Sequence, residues 1–195
     1  LPAGDPDRLV ALYQVNRRGD TRSLGYEDYV DYRDRSGAFA GLAVHTGTPL
    51  NLELGTRAEM VWGEMVSENY FSVLAMQPAL GRFFTAAESK PGAHPLAVLS
   101  YASWRDRFAG DSAVVGRVVR INGSPFTIVG VAAKGFKGLR IFGFWPEIWA
   151  PLGMHDVVQP GSTRLLQGRG PGELTAFGRM RPGWSMDRTR RAAAR

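Results

Sequence analysis

The sequence predicts an α+β fold with mixed sheets. Segments typical of strands and of helices alternate along the 195 residues without a regular order. Hairpin signals separate some of these segments, and hairpins place antiparallel strands side by side. No repeat of fixed period is present, and the regular strand–helix alternation of a doubly wound fold is lacking. These observations favour mixed sheets with helices packed on them.

The predicted strands are recognised by β-branched and aromatic residues that alternate with polar ones. They fall at residues 8–15, 58–67, 95–100 and 174–180, and in the two arms of a hairpin within 114–132. Asn122-Gly123 supplies the positive φ angles that a tight hairpin turn requires. Residues 41–55 predict two short strands around a turn at Gly47–Pro49. Glu64 lies among apolar residues of its strand, so we expect it at a sheet edge or paired.

Serine residues mark the start of three predicted helices, because a serine side chain accepts a hydrogen bond from a free N–H of the first turn. The helices are expected from Ser23 to about Phe39, from Ser67 towards Pro78, from Ser100 towards Gly110, and in the second half of 181–194. Proline and glycine stop the second and third of them. Thr85 and Glu88 form a capping box for one further turn.

Composition and charge exclude several kinds of site. The absence of cysteine excludes disulfides, thiolate zinc sites and cysteine nucleophiles. No apolar run reaches the roughly 18 residues of a membrane-spanning helix. The net charge of +6 is carried by eight arginines from Arg164 onward, against Glu173 and Asp187. Only Phe177 and Trp184 interleave with them, so we expect a solvated helix there and no nucleic-acid partner.

The sequence nominates no catalytic residue. Ser100 lies between a strand and a helix, as a hydrolase nucleophile does, and His94 is near it in sequence. The glycines of a nucleophile elbow are missing, however, and helix capping explains the serine more simply.

No metal or cofactor site is expected either. The three histidines, at positions 45, 94 and 155, are widely separated and lack ligand spacing. Glu27, Asp31 and Asp34 share one face of the first predicted helix. Arg33 and Arg35 lie between them, so we favour a solvated face over a metal site.

A glycine-spaced loop at 134–149 is dense in large apolar side chains. Its candidates for contact with a partner protein or an amphiphilic cargo are Phe136, Leu139, Ile141, Phe142, Phe144 and Trp145. Two interpretations stay open. The loop folds inward as a lid on the core, or it forms an exposed patch that binds another molecule.

Four motifs, in this order, resemble the MacB-like periplasmic core domain of ABC-transporter permeases. They are S-x-N-Y-F-x-V-L at 67–74, L-G-R-x-F at 80–84, S-x-x-x-W at 100–104 and V-G-x-x-x-x-I-N-G-x-x-F-x-I-V-G-V at 115–131. More closely, the sequence looks like the version in the duplicated permeases that are abundant in acidobacteria and their relatives. The positions that match the family pattern, to which we assign structural roles, are Asn69, Tyr70, Phe71, Leu80, Gly81, Arg82, Trp104, Gly116, Asn122, Gly123 and Gly130.

The resemblance implies a non-catalytic domain outside the cytoplasmic membrane, between the first two membrane-spanning helices of a permease. It implies a cytoplasmic ATPase, a dimeric assembly, and a relay of nucleotide-driven motion to cargo or to periplasmic partners. It also implies a porter-like α/β lobe, placed at 1–80 plus 174–195, and an inserted strand-rich lobe at 81–173. We expect the natural chain to continue beyond Arg195 towards a membrane span.

Two alternatives remain beside this interpretation. One is a stand-alone secreted hydrolase with a site between the two lobes. The other is a module that binds an apolar ligand through the 134–149 loop.

Overall fold

A computed structural model of the chain describes residues 3–139, 143–161, 165–170 and 172–194. The strands are β1 (Leu9–Leu12), β2 (Gln14–Val15), β3 (Thr21–Arg22), β4 (Phe39–Leu54), β5 (Arg57–Val66), β6 (Leu80–Gly81), β7 (Leu96–Leu99), β8 (Val118–Ile121), β9 (Ser124–Val131), β10 (Ile148–Pro151) and β11 (Thr175–Met180). The helices are α1 (Tyr26–Arg35), α2 (Tyr70–Val73), α3 (Tyr101–Arg107), α4 (His155–Val158) and α5 (Met186–Ala193). Short 3₁₀ turns cover Pro6–Arg8, Ser112–Val114 and Leu152–Met154.

Among the described residues, nine strands form one mixed sheet in the order β1-β11-β4-β5-β10-β7-β9-β6, with β8 beside both β4 and β9. Most pairs are antiparallel, whereas β10 with β5 and β7 with β9 are parallel. Because β8 bonds to β4 and to β9, the strands β4, β5, β10, β7, β9 and β8 close into a ring. The mixed α/β, strand-rich architecture confirms the predicted mixed sheets.

Strand β4 differs from the prediction. Residues 41–55 were expected to form two short strands around Gly47–Pro49, but the structure has one continuous strand of 16 residues. Pro49 lacks an N–H, and the carbonyl of Trp62 opposite accepts instead from the N–H of Glu147 at 2.7 Å. Gly47 lies under the Trp62 ring, where a β-carbon would come within 2.8 Å of it. Both residues therefore serve packing and pairing, not a turn.

The starts of two helices also differ. Helix α1 begins at Tyr26 rather than at Ser23, because Leu24 is extended and forms a β-bridge with Leu174. Ser67 does not cap α2. Its hydroxyl oxygen instead accepts from the N–H of Val44 at 3.1 Å, and its hydroxyl donates to Oδ1 of Asn69 at 2.8 Å.

Other local predictions are confirmed. Asn122 and Gly123 have φ of 50° and 79° and join β8 to β9 in a hairpin. Ser100 caps α3, since its hydroxyl oxygen accepts from the N–H of Ser103 at 3.0 Å. Glu88 accepts from the N–H of Thr85 at 2.9 Å, although the segment forms turns and no helix. The predicted strand 8–15 is confirmed only in part, because it is split at Tyr13, where β2 leaves the sheet to pair with β3.

The sheet separates two apolar cores. One lies against α1, α3 and α4 and fills the ring of six strands, with Leu52, Met65 and Phe126 fully buried in it. The other lies on the opposite face around α2 and is rich in aromatic rings, including Phe71 and Trp149. Strands from 1–80, 81–173 and 174–195 all join the one sheet, and the boundaries of the two expected lobes stay a prediction.

No helix within the described ranges is long and apolar enough to cross a membrane.

Candidate interaction surface

An exposed group of apolar side chains lies beside β5 at the end of the 134–149 loop. We call Met60, Trp62, Phe144 and Trp145 the aromatic patch. Met60 is 81% exposed, Phe144 61% and Trp145 47%. The Phe144 ring stacks on Trp62 with centroids 5.0 Å apart and planes 23° apart. Aromatic side chains exposed together in this way are typical of a binding surface.

Charged side chains fix the border of the aromatic patch. Arg107 of α3 donates from Nε to Glu147 at 2.6 Å and from Nη2 at 3.1 Å, and it also donates to Glu59. This fork ties the loop, α3 and β5 together. The ammonium of Lys137 lies 4.4 Å from the centroid of the Trp145 ring, close enough for a cation–π contact. The ion pairs of Arg107 thus connect the loop beside the patch to α3 and β5.

The candidate contact residues divide between core and surface. Phe136 is buried and stacks on Trp149, with centroids 5.3 Å apart, and Leu139 packs half-buried against the same cluster. Phe144 and Trp145 face outward. Ile141 and Phe142 lie outside the described residues. The loop thus combines both interpretations: its first part covers the core and its last part forms the patch.

A buried carboxylate lies beneath the covering part of the loop. Glu64 accepts from Nε1 of Trp149 at 2.9 Å and from the hydroxyl of Tyr70 at 3.2 Å. Nδ1 of His45 lies 3.4 Å from its other oxygen. Sequence reasoning expected Glu64 to be paired or at an edge, and the structure pairs it. The sequence does not predict that His45 is its partner, because His45 and Glu64 lie on neighbouring strands and no sequence spacing connects them.

The buried carboxylate also perturbs its neighbour. Burial, and then the negative charge of Glu64, raise the pKa of Tyr70 well above its ordinary value. Tyr70 therefore stays a neutral hydrogen-bond donor to Glu64. The arrangement satisfies a buried charge with several donors, as its burial requires. Glu64 itself is only 5% exposed, so it is not presented to solvent as an acid or base.

The acidic face of α1 is neutralised by a loop. Arg169 forms ion pairs with Glu27, Asp28 and Asp31 at 3.2, 3.6 and 2.5 Å. The hydrogen bond from Arg169 lowers the pKa of Asp31. Two of the three carboxylates weighed as a metal or acid/base site, Glu27 and Asp31, therefore hold the loop, whereas Asp34 pairs with Arg33 at 2.7 Å. Among the described residues, no group of three or more His, Asp or Glu side chains is placed to bind a metal ion.

The residues of a hydrolase arrangement do not come together. Ser100 is occupied as the cap of α3, whereas Nε2 of His94 lies 2.8 Å from Oγ1 of Thr127. Neither side chain therefore activates the other.

Comparison with known proteins decides the family. The family model of the MacB-like periplasmic core domain matches residues 3–195, which is nearly the whole chain. The chain belongs to the MacB-like periplasmic core domain family. It is thus a periplasmic domain of a MacB-like ABC-transporter permease, and such domains are generally non-catalytic. None of the curated proteins that were compared matches the chain.

Solved structures share the fold of this MacB-like domain. The periplasmic region of MacB from Actinobacillus actinomycetemcomitans superposes with a TM-score of 0.69 at 15% identity, over 98% of this chain and 82% of that one. The extracellular domain of the noncanonic ABC-type transporter YknZ from Gram-positive bacteria gives 0.68 at 14% identity, over 94% and 88%.

Proposed function

We propose that this MacB-like domain couples nucleotide-driven motion of a membrane-anchored transporter to a periplasmic partner protein, without catalysing a reaction itself. Permeases of this family work with cytoplasmic ATPases. The domain would then act as a stiff connection between its membrane-facing segments and a docking surface. One observation carries the proposal: the continuous strand β4 joins the two places that such a connection needs.

The first of these places is where β1 and β11 lie together. These strands are antiparallel neighbours, with Leu9 opposite Arg179. Two side chains, which we call the arginine clamp, bind across them. Arg8 donates from Nε and Nη2 to the carbonyl of Met180, at 3.1 and 2.5 Å. A displacement of either strand is therefore passed to the other.

Arg179 completes the arginine clamp. It donates to the carbonyls of Gly4 at 2.6 Å, Asp5 at 3.1 Å and Val73 at 2.7 Å. The guanidinium thus ties the segment before β1 to the end of α2. An arginine suits this role because its donors are held in one rigid plane.

The second place is the aromatic patch. Strand β11 pairs with β4 as far as His45, and Met60 of the patch lies opposite Asn51 of the same strand. Six residues of strand separate these points, which is about 20 Å at the rise of a β-strand. The ring of six strands stiffens β4 along this length, so motion at the clamp would move the patch as a rigid body.

The character of the patch favours a protein as the partner. Aromatic side chains form its centre, and the Arg107 ion pairs form a polar border. Protein–protein interfaces typically have this arrangement, in which aromatic residues at the centre contribute most of the binding energy and polar residues form the rim. An amphiphilic cargo and a second copy of the domain are the other occupants that we consider.

The proposal is tested with the full-length permease and its ATPase in lipid nanodiscs. The natural sequence of this domain has no cysteine, so Thr56→Cys in the exposed β4–β5 turn provides one labelling site in it. We expect energy transfer between a dye at this position and a headgroup-labelled lipid to change when ATP and vanadate trap the transporter. An unchanged signal during active ATP hydrolysis would argue against coupling.

A further inference from the structure

A cavity of about 330 Å³ opens between β1, β11 and the loop residues Gly138 and Leu139. Its lining is mainly apolar and includes Leu9, Leu139 and Phe177. Small-molecule sites of proteins begin at about this volume and have the same character, with few polar groups among apolar ones. The cavity shares no lining residue with the pocket beside the aromatic patch.

One polar atom in the lining residues, Nε2 of His45, has no hydrogen-bond partner among the described residues. His45 is only 5% exposed, and its Nδ1 faces Glu64 at 3.4 Å. Tyr70 and Trp149 hold the carboxylate in place, and we assign the ring hydrogen of His45 to Nδ1, the nitrogen that faces it. In the neutral imidazole, Nε2 is then a hydrogen-bond acceptor. It is buried, and no described residue makes a hydrogen bond to it.

An unpaired buried acceptor is unfavourable, by about 1–3 kcal/mol, and native proteins rarely keep one without a reason. Its position in the wall of an apolar cavity indicates that a molecule from outside supplies the donor. That molecule needs an apolar body to fill the cavity and a hydroxyl or N–H group to reach the ring.

We propose that this cavity binds a small apolar molecule that carries one hydrogen-bond donor, with the donor bonded to Nε2 of His45. The apolar part of the ligand lies against Leu9, Leu139 and Phe177. Nε2 is closed off from solvent in the free domain, so a lining side chain must rotate as the ligand enters. Leu139 is half-buried on an irregular segment and is suited to this movement. This site goes beyond the proposed coupling role and does not depend on it.

The test uses two probes of nearly equal size on the 195-residue chain. 1-Naphthol carries a hydroxyl donor, and 1-methoxynaphthalene lacks one. We expect 1-naphthol to bind about tenfold more tightly in a calorimetric titration, because its hydroxyl donates a hydrogen bond to the buried acceptor and the ether cannot. The Nε2 resonance of His45 is expected to shift with 1-naphthol and not with the ether.

Three variants locate the binding. His45→Phe keeps the ring packing and is expected to abolish the preference for 1-naphthol. Ala11→Trp fills the cavity from an exposed edge-strand position and is expected to abolish binding of both probes. Phe144→Ser alters only the aromatic patch and is expected to leave both affinities unchanged. This last control separates the cavity from the surface on which the proposed function depends.

Equal affinity for the two probes would overturn the proposal, as would a preference that survives His45→Phe. Absence of binding at millimolar probe would show a cavity that holds only water, and would overturn it too. Ala11→Trp leaves the His45 network intact, so it keeps the test valid if His45→Phe fails to fold.

Discussion

The indole of Trp149 donates to the carboxylate of Glu64 at 2.9 Å, across two parallel strands and inside an aromatic core. This hydrogen bond joins β10 to β5 beneath the loop that ends at the aromatic patch. Tyr70 donates to the same oxygen from α2. Side chains of β5, β10 and α2 thus meet at one buried charge. Two of them, Glu64 and Trp149, are 85 residues apart in the sequence.

Glu64→Ala is expected to destabilise the domain by about 3 kcal/mol. It leaves the donors of Trp149, Tyr70 and His45 buried without an acceptor, and breaking a buried charged network costs this much. Urea unfolding followed by tryptophan fluorescence measures the change. Glu59→Ala is the matched control, because Glu59 is a carboxylate of the same strand in a surface ion pair, and we expect a loss of less than about 1 kcal/mol. Similar losses for the two variants would contradict the role of the buried network.

Arg179→Lys is expected to cost about 2 kcal/mol, although it keeps the charge. A lysine cannot donate to Gly4, Asp5 and Val73 from one rigid plane. We also expect faster hydrogen exchange at the amide of Gly4, which bonds to the carbonyl of Leu74. Arg181→Lys, at an exposed position two residues further on, is expected to change neither quantity. Unchanged exchange at Gly4 in Arg179→Lys would show that the clamp does not hold the first segment.

The pKa of Glu88 offers a test by pH. The hydrogen bonds from Arg82, at 2.6 and 2.8 Å, lower this pKa from 4.5 to about 2. Because the folded-state pKa lies below the unfolded one, the pair stabilises the fold above about pH 4.5, and this contribution is lost as the pH falls towards 2. The pair is largely exposed, so we expect the contribution to be about 1 kcal/mol or less.

Arg82→Gln is expected to raise the pKa of Glu88 towards 4.5, although the hydrogen bonds from Thr85 remain and still lower it. A carbon-detected NMR titration from pH 7 to pH 3 measures it. In the wild-type domain the Glu88 carboxyl should stay mainly ionised at pH 3.5, whereas in Arg82→Gln a clearly larger fraction should be protonated. Equal titration curves would contradict the assigned ion pair.

Phe144→Ser and Trp145→Ser are each expected to weaken binding of a fluorescent apolar dye by about threefold or more, with little effect on stability. Both side chains are exposed, so little buried area is lost, whereas the dye loses an aromatic contact. Val118→Ser is the control, since Val118 is also exposed but lies outside the patch. Dye binding that is unchanged by the patch variants, or equally weakened by Val118→Ser, would count against this surface.

A local signal in the sequence predicts the structure well where only neighbouring residues determine the conformation. Asn122-Gly123 predicts a hairpin turn, and the turn forms because both residues take the positive φ that it needs. Ser100 caps α3 for an equally local reason. Where long-range contacts decide, the same kind of signal is misleading. Gly47 and Pro49 resemble a turn, but Trp62 and Glu147 determine their conformation from elsewhere in the chain.

The candidate site shows the same division. The aromatic character of residues 134–149 makes this loop a candidate contact surface, and Phe144 and Trp145 lie at the surface. Which of its residues turn inward depends on Trp149 and Tyr70, whose rings receive Phe136. The pairing of His45 with Glu64 depends on strand register, which a single sequence does not reveal.

We propose that nucleotide-driven motion reaches the aromatic patch through the arginine clamp and β4. The most direct measurement follows energy transfer from a dye at Thr56→Cys to labelled lipid in the full-length transporter, with and without Arg179→Gln. We predict that ATP and vanadate change the signal in the parent protein, and that Arg179→Gln removes this response while ATP hydrolysis continues. A response of full size in Arg179→Gln would contradict the account.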